Sequence, residues 1–164
     1  MKAITVRPGQ PDDIPAVMQL IRELAEYEKA AHEVILDEAQ LRADGFGQQA
    51  LYGLLVAEEA GELVGLALYF YRYSTWKGKL LYLEDFYIRP HFRRRGLGQA
   101  FFRALAQIAH REQCARIFWQ VLDWNTEAQA FYQKMGARFD GGWLNGYLER
   151  AEIDLLRQGP ASFS

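Results

Sequence analysis

The chain has 164 residues, 50% of them hydrophobic and 24% charged, with a formal net charge of −2. That length suits one domain able to bury about two thirds of its unfolded surface, and the composition excludes a disordered chain. An isoelectric point near 5.9 argues against general nucleic-acid binding; the lone cysteine, Cys114, leaves no internal disulfide and suits a reducing cytoplasm; and no apolar run approaches the ~20 residues of a membrane span.

The opening residues, Met1 to Pro8, carry no long apolar region and predict no signal peptide. Residues 3–7 alternate like a short strand. Pro8, Gly9 and Pro11 break it. Asp12 and Asp13 then offer an N-cap, with Pro15 in the first turn of a helix reaching Tyr27 or Glu28. Its apolar face is Ile14, Val17, Met18, Ile21, Leu24 and Ala25. Residues 37–46 read as a second helix. Residues 51–59 and 62–73 form a hairpin about Glu59-Ala60-Gly61-Glu62, and residues 79–89 a third strand after Gly78. A helix opens at Leu97; residues 115–122 make a strand, 126–135 a helix closed by Gly136, and 143–155 a final strand. The order β-α-α-β-β-β-α-β-α-β predicts an α/β (mixed α+β) fold, one domain over 1–157 with helices on both faces of a mixed sheet, and a flexible tail at 158–164.

Three stretches carry chemistry. Arg93-x-x-Gly96-x-Gly98 stands where a strand passes into a helix. Glycines there let backbone amides converge on an anion, the helix N-terminus adds about half a positive charge, and Arg93, Arg94 and Arg95 add donors. The pattern is neither a Walker loop nor a complete dinucleotide fingerprint. The second stretch is Leu80-Leu81-Tyr82-Leu83-Glu84-Asp85-Phe86-Tyr87-Ile88, apolar on both faces apart from Glu84 and Asp85. It reads as a central strand buried on both sides, with the two carboxylates on opposite faces. Each then needs a partner or has a raised pKa: either a salt bridge to a basic residue, or a functional role such as general base or cation-binding wall. The third runs from Asp123 to Ala137, where Asn125 can cap a helix and Tyr132 follows two turns later. His32, His91 and His110 lack ligand spacing, so no metal is expected.

R-x-x-G-x-G after a strand, followed by N-x-x-A-x-x-F-Y-x-x-x-G-A, resembles the GNAT superfamily of N-acetyltransferases. The stretches Ile21 to Glu28, Asp44-Gly45-Phe46-Gly47, Trp76 to Phe86 and Asp123-Trp124-Asn125 resemble its diamine (spermidine/spermine) acetyltransferases, from about residue 4 to 148. The resemblance implies an acyl-CoA N-acyltransferase fold, a strongly bent and splayed mixed sheet with acetyl-CoA in its cleft. It implies Phe86, Tyr87 and Ile88 at the pantetheine arm; Arg94, Arg95, Gly96, Leu97, Gly98 and Gln99, beside Arg93, at the pyrophosphate; and Asn125, Thr126, Glu127 and Ala128 against the cofactor. Tyr132 would lie near the sulfur as general acid. Tyr27, Glu28 and Glu84 would sit at the acceptor amine, with Asp85, Trp76 and Trp143 as further substrate contacts. Glu84, as a buried carboxylate, would take the ammonium proton, directly or through water.

The chain departs from the polyamine pattern. Tyr73-Ser74-Thr75-Trp76 lacks a carboxylate, and Asp140-Gly141-Gly142-Trp143 lacks an acidic pair before the tryptophan. The Tyr-Ser-Thr-Trp-Lys-Gly and Val-Leu-Asp-Trp-Asn segments are similar instead to the sister branch that acetylates thialysine. The expected acceptor is therefore a small amine with one or two positive charges, with spermidine or spermine as the alternative. A protein lysine or N-terminus as acceptor, and a non-catalytic acetyl-CoA-binding module, are the remaining rivals. A homodimer meeting through the strand around Tyr147 to Leu155 is expected, with no nucleic-acid or membrane partner.

Overall fold

The computed structural model describes residues 4–158. The chain divides between Gln120 and Val121 into two compact units, taken in turn. The first holds a five-stranded sheet in the order β1-β2-β3-β4-β5, with β1 Thr5–Pro8, β2 Gly53–Glu59, β3 Glu62–Ser74, β4 Gly78–Ile88 and β5 Ile117–Trp119. Neighbours are antiparallel except β4 and β5, which run parallel over Leu81 to Leu83. The sheet is mixed because α3 (Leu97–Arg111) carries the chain from β4 back to β5.

Each sheet face carries its own core. On one, α1 (Ile14–Tyr27) lays Ile14, Val17, Met18, Leu20 and Leu24 against Leu54, Val56, Leu66, Leu68 and Tyr87, with Leu41 of α2 (Glu38–Phe46) beside them. On the other, Leu97, Phe101, Leu105 and Ile108 of α3 meet Leu55, Ala57, Val64, Ala67, Leu81, Leu83 and Ile88. The 3.6-residue spacing of α1 and α3 meets the two-residue alternation of β2, so each helix closes one face. At Gly65 an added Cβ would stand 2.9 Å from the Tyr87 carbonyl and 3.3 Å from Phe101, so glycine there permits α3 to pack closely on β3.

The expected helix cap works differently. A 3-10 turn, Pro11–Asp13, precedes α1, and the Asp13 carboxylate makes no cap to α1. It accepts from the Gln10 amide and from both Arg7 terminal nitrogens, while Arg7 also donates to Glu58. The guanidinium lowers the Asp13 carboxyl below its ordinary value. Arg7 so ties β1 to the start of α1 and to β2.

The second unit holds α4 (Thr126–Lys134) and α5 (Arg150–Gln158). The strand expected over 143–155 does not form: residues 137–149 have no regular structure, and α5 takes the rest. Arg150-Ala-Glu-Ile-Asp-Leu-Leu-Arg is rich in strong helix formers, and Arg150 pairs with Asp154 one turn on at 3.1 Å. Of the expected tail, residues 159–164 lie outside the described residues. The observed order is β-α-α-β-β-β-α-β-α-α, a mixed α+β fold.

Candidate active site

The N-cap of α3 is Gly96, at φ +81° and without a side-chain cap. An added Cβ would meet nothing within 4 Å, so the preference for glycine is conformational rather than steric. The first intrahelical bond runs from the Ala100 amide to the Gly96 carbonyl at 3.1 Å. The amides of Leu97, Gly98 and Gln99 therefore fall in the turn that has no i−4 acceptor, at the positive end of the helix dipole. Such a terminus fits a pyrophosphate.

The three arginines before it are deployed differently from one another. The Arg93 Nε donates to the Ile88 carbonyl at 2.9 Å, and its guanidinium lies 5.4 Å and 5.8 Å from the ring centroids of Tyr27 and Tyr87. Arg93 thus links the end of β4 to the end of α1. Arg95 donates to Glu59 at 2.7 Å and lies over Phe92. Arg94 has φ +60°, in the left-handed region that a non-glycine residue rarely adopts.

β4 departs from the expected regular strand at the acidic pair. In its register with β3, Leu83 stands opposite Tyr69 and Asp85 opposite Leu68, leaving Glu84 as an extra residue: a β-bulge. The cores show the consequence. Leu81 and Leu83 lie on the α3 face, and so do Phe86 and Ile88, while Tyr87 lies on the α1 face. Strict alternation would put 83 and 86 on opposite sides. The bulge therefore turns Glu84 and Asp85 to the same α1 face, where alternation alone would oppose them. It also leaves Glu84 exposed rather than buried, and Asp85 half-buried. Burial first, then the charges of Glu84 and Glu28, raise the Asp85 carboxyl to about 6. Glu28, just past α1, keeps solvent access, yet partial burial raises its carboxyl too. Among the described residues no basic side chain forms an ion pair with Glu28, Glu84 or Asp85.

The ladder to β5 stops at Leu83, so among the described residues only β3 pairs with β4 over Asp85 to Ile88. Phe86 anchors this stretch edge-to-face against Phe101 and Phe102 of α3, at 5.5 Å and 5.4 Å. In the second unit, Asn125 caps α4 as expected: its side-chain oxygen accepts from the Ala128 amide at 3.2 Å. Thr126, Glu127 and Ala128 form the first turn, and Tyr132 is 6% exposed.

Tyr27, Glu28, Glu84 and Asp85 are thus grouped by α1 and the bulge. Trp76 is not among them. It stands in the β3–β4 turn, 86% exposed, and the six residue steps from Gly78 to Glu84 span roughly 20 Å of strand. Trp143, in the second unit, is 77% exposed. Two features escaped the sequence. Arg93 as a link depends on where α1 ends in space, which no local pattern records. The burial of Asp85 beside an exposed Glu84 had one weak signal, an acidic pair interrupting an otherwise apolar strand.

Residues 14–137 match the Acetyltransferase (GNAT) family. The thialysine N-epsilon-acetyltransferase of Bos taurus is 41% identical over 146 residues, which cover 84% of this chain and 86% of that one. Spermidine/spermine N(1)-acetyltransferase-like protein 1 of Homo sapiens is 36% identical over 163 residues, covering 93% of this chain and 24% of that longer protein. Among solved structures, an aminoglycoside N-acetyltransferase in complex with CoA shares the fold, with a TM-score of 0.72 at 18% identity over 92% of this chain and 97% of that one. The likeness reaches from α1 through the glycine-capped helix to the end of α4, and the chain belongs to the GNAT family as an acetyl-CoA-dependent N-acetyltransferase.

Proposed function

We propose that the protein acetylates the primary amine of a small molecule carrying one or two positive charges: thialysine, a lysine analogue or a short diamine. The observation that carries this reading is the group Glu28, Glu84 and Asp85, three carboxylates gathered by the end of α1 and the β4 bulge without a basic ion-pair partner among the described residues. Such a group is a counter-charge for an alkyl ammonium. The thialysine acetyltransferase named above supports the choice of acceptor.

Bound acetyl-CoA would supply an activated thioester. The amides of Leu97, Gly98 and Gln99, with Arg94, would hold its pyrophosphate, and the backbone of Phe86, Tyr87 and Ile88 would meet the pantetheine arm. Asn125, Thr126, Glu127 and Ala128 would add cofactor contacts, and the Tyr132 hydroxyl would give its proton to the departing sulfur. The acceptor ammonium, with a pKa of about 10.4, must lose a proton before its nitrogen can attack. At pH 7 that costs about 4.6 kcal/mol. Glu28 and Glu84 attract and hold the cation, and Tyr27 flanks it.

The alternative acceptor is spermidine or spermine, favoured by the human relative. Incubation of the purified protein with acetyl-CoA and a panel of amines, followed by free-thiol release, decides between them. Thialysine or a short diamine is expected to show the higher kcat/KM; preference for spermine selects the alternative, and no thiol release with any amine rejects both. We also infer a cytoplasmic homodimer over one domain, 1–157. Support for the dimer is the run of exposed apolar side chains Trp143, Leu144, Tyr147 and Leu148, too many to leave in water.

A further inference from the structure

The acidic group accounts for one end of the acceptor and leaves open what meets the other. We propose that Arg72 recognises a carboxylate there, across an aromatic shelf of Phe70, Tyr82 and Phe118, so that the favoured acceptor is a diamino acid rather than a diamine or polyamine. This deepens the small-amine acetyltransferase reading and rests on it.

The shelf follows from the alternation of β4. Leu81 and Leu83 lie in the α3 core, so Tyr82 between them faces the other side of the sheet. On that side α1 packs over Leu66, Leu68 and Tyr87. Further along the strands stand three half-buried rings that, among the described residues, belong to neither core. Tyr82 is opposite Phe70 in the ladder with β3 and opposite Phe118 in the ladder with β5. Its ring centroid lies 5.0 Å from that of Phe70 and 5.5 Å from that of Phe118. Its hydroxyl donates to the Gln120 Oε1 at 3.1 Å.

The shelf has an acidic end and a basic end. Glu84 follows Tyr82 by two residues, and Arg72 stands opposite Leu80, two residues before it. Both charges act on the Tyr82 hydroxyl: beyond the effect of burial, Glu84 raises its pKa and Arg72 lowers it. Arg7, Arg89, Arg95 and Arg150 each pair with a carboxylate. Arg72 is exposed, its guanidinium lies 5.6 Å from the Phe118 ring centroid, and it forms no ion pair among the described residues. Its planar fork of N–H donors suits a carboxylate bidentately. The spacing suits an amino acid. Arg72 starts level with Leu80, four residues from Glu84, and its guanidinium reaches Phe118, level with Tyr82, two residues from Glu84. That is roughly 7–13 Å of strand. In thialysine or lysine six bonds separate the terminal amine nitrogen from the carboxylate carbon, about 7 Å when extended. An ionic hydrogen bond of about 2.8 Å at each end brings the span to ~13 Å, which the exposed Glu84 and Arg72 side chains can bridge. The methylene and thioether groups between lie over the aromatic rings. A diamine of the same length sets its second ammonium against the guanidinium, and like charges repel.

The test uses the full chain with saturating acetyl-CoA and follows thiol release for thialysine and for bis(2-aminoethyl) sulfide, which is thialysine without its carboxylate. The wild type is expected to show a kcat/KM at least tenfold higher for thialysine, the scale of a hydrogen bond to a charged group. Arg72→Met should remove most of that ratio, chiefly by raising KM for thialysine. Arg72→Lys should keep part of it, since an ammonium retains the charge without the fork. A ratio retained in Arg72→Met, or equal losses for the two acceptors, overturns the assignment and leaves Arg72 a surface side chain. A wild-type ratio at or below one overturns it without any variant, which protects the test should the methionine variant not fold. Absence of wild-type turnover with every amine instead overturns the acetyltransferase reading beneath it.

Discussion

Asp85 makes a prediction about stability that is independent of catalysis. Its raised pKa means that the native state binds the proton more tightly than the unfolded state does. Its favourable contribution is therefore full below pH ~4 and lost as pH rises through about 6, so at pH 7.5 the ionised group is a cost. Asp85→Asn should stabilise the protein against urea at pH 7.5 by on the order of 1–3 kcal/mol, with the gain shrinking towards pH 4. A gain that does not depend on pH would mean that packing, not charge, produces it. Tyr132 makes the second residue-scale prediction. It is buried in a helix opened by Asn125, and if it protonates the sulfur, Tyr132→Phe should lower kcat by about 10² with little change in acetyl-CoA affinity. Near-normal kcat, with chemistry shown to limit the rate, would assign it to packing.

Among the elements, α3 and the β3–β4 hairpin carry testable consequences. The first turn of α3 presents the Leu97, Gly98 and Gln99 amides, and a branched side chain at Gly98 would crowd their approach to a pyrophosphate. Gly98→Val should weaken acetyl-CoA binding at least tenfold, about 1.4 kcal/mol, by calorimetry; unchanged affinity in a folded variant removes the helix terminus from the site. In the hairpin turn, the Ser74 hydroxyl accepts from the amides of Trp76 and Lys77 at 3.2 Å and 3.3 Å. An aspartate oxygen can accept the same bonds, so Ser74→Asp adds charge while keeping the turn. A rise in spermine kcat/KM that is larger at low salt is expected if the missing carboxylate limits polycation binding. No rise would show that the turn does not reach the acceptor, in line with the distance of Trp76 from the bulge.

At the scale of the whole molecule, the exposed apolar surface of the second unit sets the expectation for assembly. Leu144 is 98% exposed and Tyr147 80%, and α5 adds Ile153, Leu155 and Leu156. Because no strand forms there, an interface is expected through side chains of this segment and α5 rather than through strand pairing. Light scattering at micromolar concentration should give twice the monomer mass, and Leu144→Asp combined with Leu155→Asp should return the monomer. A wild-type monomer mass would reject the dimer.

Much of this was legible in the amino-acid order because its causes are local. Helical spacing of apolar residues fixed α1 and α3, the turn at Ala60 and Gly61 fixed the hairpin, and Asn125 marked the start of α4; each involves residues within a few positions of one another. The glycine-capped helix terminus belongs to the same class, since its amides are set by Gly96 and the turn that follows. The C-terminal segment differs from its expected strand because strand formation depends on a neighbour to pair with, which the segment does not encode. The arrangement of the carboxylates was decided by tertiary structure for a related reason. Whether Glu84 and Asp85 oppose each other or share a face depends on the register of β4 against β3, and one unpaired residue in that ladder reverses the answer. Their nearness to Glu28, more than fifty positions earlier, and the link from Arg93 to Tyr27 exist only after α1 has packed on the sheet, so the proton affinity of Asp85 is a property of the folded neighbourhood and not of the sequence around it.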